Sequence, residues 1–209
     1  DLRTLEAPVA ADVRERLLSR LGLSPETPYA ICLGRKSPQK GIGLLLEAAP
    51  LIQRDFPQGR LVLAGPSSEW FGRIFQNLPG DLRSFVVDAG QVSEEEKAAL
   101  LQSAKVLLSP SAHEAYGIVF LEAWAAGIPA VGAGAGAITE VMGEGGLLFA
   151  SGDARGLAAQ AVRLLGDGDL RARLALAGRA QIASRPTAAQ IAAKVYGTYQ
   201  RVLARRGRA

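Results

Sequence analysis

Cysteine is almost absent from this sequence, which has a single one, Cys32. One thiol excludes a framework of internal disulfides, and its place in an apolar run predicts a small core residue in a reducing compartment. No apolar stretch approaches the ~20 residues of a membrane-spanning helix, and no signal peptide is recognisable. We therefore expect a globular, cytoplasmic protein.

Aromatic residues are also scarce, at 6% of the chain, and they do not interleave with the basic residues. The net charge of +4 therefore gives no indication of nucleic acid binding. It is compatible with an anionic ligand or an acidic membrane surface, and it points specifically to neither. The basic residues that gather at 201–208 are interpreted as a solvated helix tail.

The hydrophobic content, 48% over 209 residues, is enough for one large core. Short strand-like runs alternate with amphipathic helical patterns, which predicts an α/β fold with a doubly wound, parallel, six-stranded sheet. The predicted strands are Tyr29–Gly34, Leu61–Gly65, Phe85–Asp88, Val106–Ser109, Ala130–Gly132 and Leu147–Phe149. The predicted helices are Ala10–Leu21, Ile42–Phe56, Trp70–Leu78, Glu94–Ser103, Gly117–Ala126, Thr139–Met142, Ala154–Leu165, Asp169–Ala183 and Ala188–Arg205.

This pattern predicts three parts. Residues 1–27 form an N-terminal helix and linker, residues 28–186 form the sheet domain, and residues 187–209 form a C-terminal helix. Ser93 and Glu96 have the spacing of a capping box, which fixes the start of one helix.

The loops that follow the strands are the candidate site, because doubly wound sheets bind ligands beyond the carboxyl ends of strands where the strand order reverses. The loop after the first strand contains Arg35, Lys36 and Lys40. Three cations there could clamp a diphosphate, since arginine offers a fork of donors and lysine a mobile charge. Taken alone, the loop fits a plain solvated surface equally well.

Two glutamates, Glu114 and Glu122, stand on either side of a predicted helix start. The first lies in a strand-to-helix loop and the second inside the helix, so their carboxylates are up to ~12 Å apart, about the span of a nucleoside diphosphate sugar. The free N–H groups of Tyr116, Gly117 and Ile118 lie between them, at a helix N-terminus suited to phosphate.

Taken together, these segments resemble the C-terminal, donor-binding half of the retaining GT-B glycosyltransferases of family GT4, the group of sucrose synthase, glycogen synthase and mannosyltransferases. The likeness covers most of the chain, and the order and separation of its fragments are more specific than any one of them. The fragments are Gly34-Arg35 with Lys40-Gly41, Leu61–Gly65, Gly90–Ser93, Ser109–Ala123, Gly127–Val131, Gly146–Phe149 and Gly152-Asp153.

The resemblance implies a Rossmann-like domain and a role for each matched residue. Arg35 and Lys40 would hold the diphosphate and stabilise it as it leaves, while Glu122 would bind the ribose and Glu114 the transferred sugar. Other donor contacts would come from Gly34, Gln91, Val92, Tyr116, Gly117, Ile118 and Val119.

The resemblance also implies a reaction that retains the anomeric configuration and needs no metal or other cofactor. The donor would be a UDP-, GDP- or ADP-sugar. Relatives carry an N-terminal domain that supplies the acceptor site. This sequence is therefore expected to be half an enzyme, inactive alone, whether as a separately produced domain, a truncated product or a subunit of a split transferase.

Three positions allow other interpretations. The loop at residues 135–140 departs from the family's Gly-Gly-x-Pro-Glu, which puts its donor contacts in question. Trp124 favours core packing over substrate stacking. His113, the only histidine, favours a surface hydrogen bond over a catalytic base.

Besides a GT-B epimerase or phosphorylase, which would keep the fold and change the chemistry, two alternative functions stay open. Residues 132–137 match a loose dinucleotide fingerprint and suggest a nicotinamide-dependent oxidoreductase, although that fingerprint belongs after a first strand. A non-catalytic nucleotide-sugar-binding or partner module is the other alternative. The run Asp167-Gly168-Asp169 resembles a metal-binding carboxylate pair, but Asp169 is better interpreted as a helix N-cap and Gly168 as a turn residue.

Overall fold

The computed structural model describes residues 2–114, 116–186 and 188–206. In this part of the chain, six parallel strands form one sheet in the order β3-β2-β1-β4-β5-β6. The strands are β1 Tyr29–Leu33, β2 Arg60–Ala64, β3 Val86–Gly90, β4 Val106–Ser109, β5 Ala130–Ala133 and β6 Gly146–Phe149. This is the α/β, doubly wound, Rossmann-like architecture that the sequence predicts.

Helices connect and follow the strands. They are α1 Arg3–Glu6, α2 Ala11–Arg20, α3 Ile42–Asp55, α4 Glu69–Gln76, α5 Gly80–Phe85, α6 Glu94–Ser103, α7 Ile118–Ala125, α8 Ala137–Met142, α9 Ala154–Gly166, α10 Gly168–Ser184 and α11 Ala188–Arg206. Each predicted helix is present to within about two residues. The capping box is confirmed, since Ser93 and Glu96 exchange both hydrogen bonds.

The sequence does not predict α1, α5 or the 3₁₀ turn at Pro38–Lys40. These elements have six residues or fewer. A segment of that length contains fewer than two helical turns, so its hydrophobic periodicity is not legible.

The strand order reverses between β1 and β4, which lie side by side in the sheet. In a parallel sheet all carboxyl ends meet one edge, so the loops after β1 and β4 leave the sheet next to each other. The residues of β4 and β5 are buried throughout, as expected where helices cover both faces.

Trp124 on α7 is fully buried, and its indole N–H donates to the Gly145 carbonyl at 2.7 Å. Its interpretation as core packing is therefore correct. Cys32 is also buried, and that burial raises the pKa of its thiol to about 12.

The segment before β1 is tied to α6 through the side chain of Gln102. Its oxygen accepts from the Val9 N–H at 3.1 Å, and its NH₂ group donates to the carbonyls of Leu5 at 3.0 Å and Ala7 at 2.7 Å. At the other end of the chain, α11 carries exposed apolar side chains, namely Ile191, Val195, Tyr196, Tyr199, Val202 and Leu203. Among the described residues, no helix combines the length and apolarity needed to cross a bilayer.

Candidate functional site

The loops after β1 and β4 touch at the point where the strand order reverses. Gly41 has a φ of 70°, and a Cβ atom there would lie 2.6 Å from the Pro110 carbonyl oxygen. Only glycine allows this backbone conformation and this approach without strain. The Gly34–Gly41 loop is therefore held against the segment that leads to Glu114.

An ion pair joins the same two loops. Lys40 Nζ lies 2.7 Å from Glu114 Oε1, with the lysine side chain 40% exposed and the glutamate 13% exposed. The fold thus brings Lys40 and Glu114 together, although they are far apart in sequence. A carboxylate and an ammonium that are both reachable from solvent can accept from hydroxyls and donate to phosphate oxygens, respectively.

The N-terminus of α7, which follows Glu114 in the chain, begins at a glycine that packs closely against its own helix. Gly117 caps α7 with a φ of 66°, and a Cβ atom there would lie 2.8 Å from the ring of Phe120. The N–H groups of Ile118 and Val119 are in the first turn of α7, where an α-helix offers no intrahelical acceptors. Tyr116 and Ile118 are exposed, so an anion can reach this end of the helix.

Glu122 lies one turn further along α7 and is held by a partner that the sequence analysis missed. Lys97 Nζ on α6 lies 2.8 Å from Glu122 Oε1 and 2.7 Å from Glu94 Oε2. Burial lowers the pKa of Lys97, but its hydrogen bonds to Glu122 and Glu94, together with the negative charges of the two carboxylates, outweigh that effect and leave the pKa raised. The lysine therefore keeps its charge beside Glu122.

The three cations of the first loop do not act as one set, contrary to the sequence expectation. Arg35 is exposed, whereas the side chain of Lys36 is 1% exposed and its ammonium pairs with Asp88 Oδ1. A buried ammonium that is already paired cannot also clamp a solvent-borne diphosphate. Arg35 and Lys40 are the cations of this loop that a ligand can reach.

Gln91 and Val92 follow β3, two strands away from β1. Gln91 is exposed and Val92 half-buried, and both come directly after Gly90, whose φ is 67°. Gly34 directly follows β1 and lies against Gly65, where a Cβ would overlap the Gly34 carbonyl. These residues lie along the same carboxyl edge as the Lys40–Glu114 pair.

A groove of about 540 Å³ opens next to the pair, between the loops that follow β1, β4 and β6. Gln39, Leu44, His113 and Ser151 are among its lining residues. His113 is exposed and its carbonyl accepts from Ser111 Oγ at 3.1 Å. Among the described residues, no group of three or more His, Cys, Asp or Glu side chains could hold a metal ion.

Two motifs that suggested other chemistry lie where that chemistry is not expected. The glycine-rich run at 132–137 follows β5 and leads into α8, not into the first strand-to-helix turn that a dinucleotide fingerprint requires. Asp167 caps α10, since its Oδ1 accepts from the Leu170 N–H at 2.8 Å. The assignment of the cap to Asp169 is wrong, because α10 already begins at Gly168.

Residues 27–167 match the protein family described as glycosyl transferases group 1. The phosphatidyl-myo-inositol mannosyltransferase of Mycobacterium leprae is 34% identical over 174 residues, which are 81% of this chain and 46% of that protein. The chain thus spans less than half the length of this relative.

Solved structures give the same picture. The sucrose-phosphate synthase of Thermosynechococcus elongatus superposes with a TM-score of 0.79 at 29% identity, covering 98% of this chain and 51% of that one. The C-terminal domain of a group 1 glycosyl transferase from Francisella tularensis has the same fold, with a TM-score of 0.73 at 20% identity. The match covers 88% of this chain and 97% of that domain.

Proposed function

The chain belongs to the group 1 glycosyltransferases, and on that basis we propose that it binds a nucleoside diphosphate sugar as the donor-binding half of a sugar transferase. The observation that carries the proposal is the Lys40–Glu114 pair at 2.7 Å, beside the open N-terminus of α7. Lys40 can donate to phosphate oxygens, and Glu114 can accept from sugar hydroxyls. They meet at the place where doubly wound sheets bind their ligands.

In the proposed reaction, the bond between the anomeric carbon and the diphosphate oxygen breaks, and its electron pair stays on that oxygen. Arg35, Lys40 and the first N–H groups of α7 stabilise the charge that develops there. The acceptor hydroxyl attacks the anomeric carbon on the face that the diphosphate leaves, so the configuration is retained, and its proton passes to the departing phosphate. The chain contributes positioning and charge and supplies no nucleophile.

The pair between Lys40 and Glu114 prepares this site before the donor arrives. Each group holds the other in place, which lowers the ordering cost of binding. When the donor enters, Lys40 turns to the phosphate and Glu114 accepts from hydroxyls of the sugar. Since Glu114 is only 13% exposed, such hydrogen bonds to its charge are stronger than those in open solvent.

Glu122 takes the ribose end in this proposal. Lys97 holds its carboxylate on one side, which leaves the remaining lone pairs of that carboxylate for the two ribose hydroxyls. The base would lie along Gln91 and Val92. The acceptor would be bound by a further domain, since the chain spans less than half of the mannosyltransferase that it matches.

Calorimetry with UDP, GDP and ADP and their sugars tests the proposal. We expect heat of binding with at least one of them, and little or no transfer by this chain alone. Absence of heat with every ligand at millimolar concentration would sink the donor-binding claim. Binding of the donor without transfer, even after a complementary acceptor-binding domain is added, would favour a non-catalytic binding module.

A further inference from the structure

Lys36 is the most deeply buried charged residue in the neighbourhood of the site. Its side chain is 1% exposed, its ammonium contacts Asp88 Oδ1 on β3, and it lies 5.3 Å from the centre of the Phe71 ring. In the proposed function, Lys36 has no contact with the donor. Its burial therefore needs another explanation.

The backbone of Lys36 is fixed as well. Its N–H donates to the Pro66 carbonyl at 2.9 Å, and its carbonyl accepts from Ser68 Oγ at 2.7 Å. Lys36 and Ser67 also form a parallel bridge beyond the ends of β1 and β2. The residue next to Arg35 is thus held to the loop that follows β2.

Asp88 continues this connection to the end of β3. The oxygen that meets Lys36 also accepts from the Gly90 N–H at 2.8 Å, and the Gly90 carbonyl accepts from the Gly65 N–H at 2.7 Å. The pairing of β2 with β3 shifts register here, so the chain bulges just before Gln91. A bulge re-aims the side chains that follow it.

Stability alone does not account for this pair. Lys36 is buried and Asp88 is 25% exposed. The cost of removing such charges from water offsets much of their attraction, and apolar residues of equal volume often stabilise a core as well or better. The pair does connect two parts of the site that no backbone hydrogen-bond ladder joins directly, since β2 lies between β1 and β3.

We propose that Lys36 is a positioning residue that sets, through Asp88, where the Gly90–Val92 turn lies relative to the loop of Arg35 and Lys40, and so determines which nucleotide base the donor site prefers. The inference rests on the proposed function. The base contacts differ among nucleotides, whereas the diphosphate contacts are common to all of them. A misplaced turn therefore weakens the preferred nucleotide most.

The experiment measures the affinities of UDP, GDP and ADP by calorimetry for the natural chain, Lys36→Met, Asp88→Asn and the double variant. We expect Lys36→Met to weaken the preferred nucleotide about tenfold and the least preferred one less than about threefold, so that the three affinities converge. The double variant should lose no more than the worse single variant, because both changes break one connection.

Lys105→Met is the matched control. Lys105 is an exposed lysine directly before β4, so it lies at the amino ends of the strands, away from the carboxyl ends that carry the site. It should leave all three affinities unchanged. Circular dichroism establishes that each variant is folded. If Lys36→Met fails to fold, Asp88→Asn decides alone. Its amide keeps the shape and the oxygen that accepts from Gly90 but removes the negative charge that pairs with Lys36.

Equal losses for all three nucleotides, or no loss, would overturn the inference and leave the donor site in place. A natural chain that binds the three bases equally would also overturn it. Absence of binding by the natural chain would instead refute the proposed function itself.

Discussion

Lys40 and Glu114 form a 2.7 Å ion pair across the gap where the strand order of the sheet reverses. The lysine follows β1 and the glutamate follows β4, so neither loop carries both halves of the pair. The formation of the pair depends on the strand order. In the proposed function, Lys40 binds the diphosphate of the donor and Glu114 binds its sugar. Variants of the two residues should therefore have different effects.

Glu114→Gln should weaken sugar nucleotides about tenfold relative to the matching bare nucleoside diphosphate, because a charged acceptor for the sugar hydroxyls is lost. Lys40→Met should weaken both ligands, since both carry the diphosphate. Calorimetric titration of each variant with a donor and its diphosphate measures the difference. Equal losses of the two ligands in Glu114→Gln would contradict the assignment of Glu114 to the sugar.

Glu122→Gln should weaken the sugar nucleotide and the bare diphosphate alike, by about tenfold, because both contain the ribose that we assign to Glu122. Glu15→Gln is the matched control, on an exposed position of α2. Titration with the same two ligands compares the variants. A loss confined to the sugar nucleotide would show that Glu122 does not serve the ribose.

Gly41→Ala should lower the free energy of unfolding by about 2 kcal/mol and also weaken nucleotide binding. Its φ of 70° is unfavourable for alanine, and the added methyl would lie 2.6 Å from the Pro110 carbonyl. Gly72→Ala is the control, because Gly72 lies within α4, where the new methyl would meet no side chain and no backbone from outside the helix within 4 Å. It should raise stability by up to about 1 kcal/mol. Urea unfolding curves measure both, and an unchanged midpoint for Gly41→Ala would contradict the close approach.

The buried thiol of Cys32 makes stability fall at alkaline pH. In the unfolded chain a thiol loses its proton near pH 8.5, whereas burial raises the pKa of Cys32 to about 12 in the folded chain. The protonated thiol therefore stabilises the folded chain fully below about pH 8.5. This contribution is lost as the pH rises towards 12, because the thiol ionises first in the unfolded chain.

Relative to Cys32→Ala, the natural chain should lose about 2 kcal/mol of unfolding free energy between pH 8 and pH 10. Urea unfolding of both proteins at the two pH values gives this difference. Other groups that titrate in the range, such as Tyr29, are present in both proteins and cancel. Parallel pH profiles would mean that the thiol ionises equally in the folded and unfolded chains.

Patterns of local sequence predicted much of this structure. Val106–Ser109 and Glu94–Ser103 have the predicted bounds, because a breaker ends the first and a capping box starts the second. The neighbouring positions of the first and fourth strand-end loops also follow from the fold class, since a doubly wound sheet reverses its order there.

The ion pairs were not predictable in the same way. Lys36 and Asp88 lie 52 positions apart, and Lys97 and Glu122 lie 25 apart. No local pattern marks a lysine whose side chain turns into the core, so the sequence predicts the same ligand contact for Lys36 as for Arg35 and Lys40. The pairing of β1, β2 and β3 brings Lys36 to Asp88. The fold also brings one side chain of α6, Lys97, to Glu122 on α7.

Cys32 also gives the chain a practical property. It is the only cysteine in the sequence, and it is buried. A second cysteine introduced at an exposed position, such as residue 39 beside the groove, would react with a maleimide fluorophore while the native thiol stays protected. Movement of the loops that follow β1 and β4 could then be measured with a fluorophore at one site, without first replacing a natural residue.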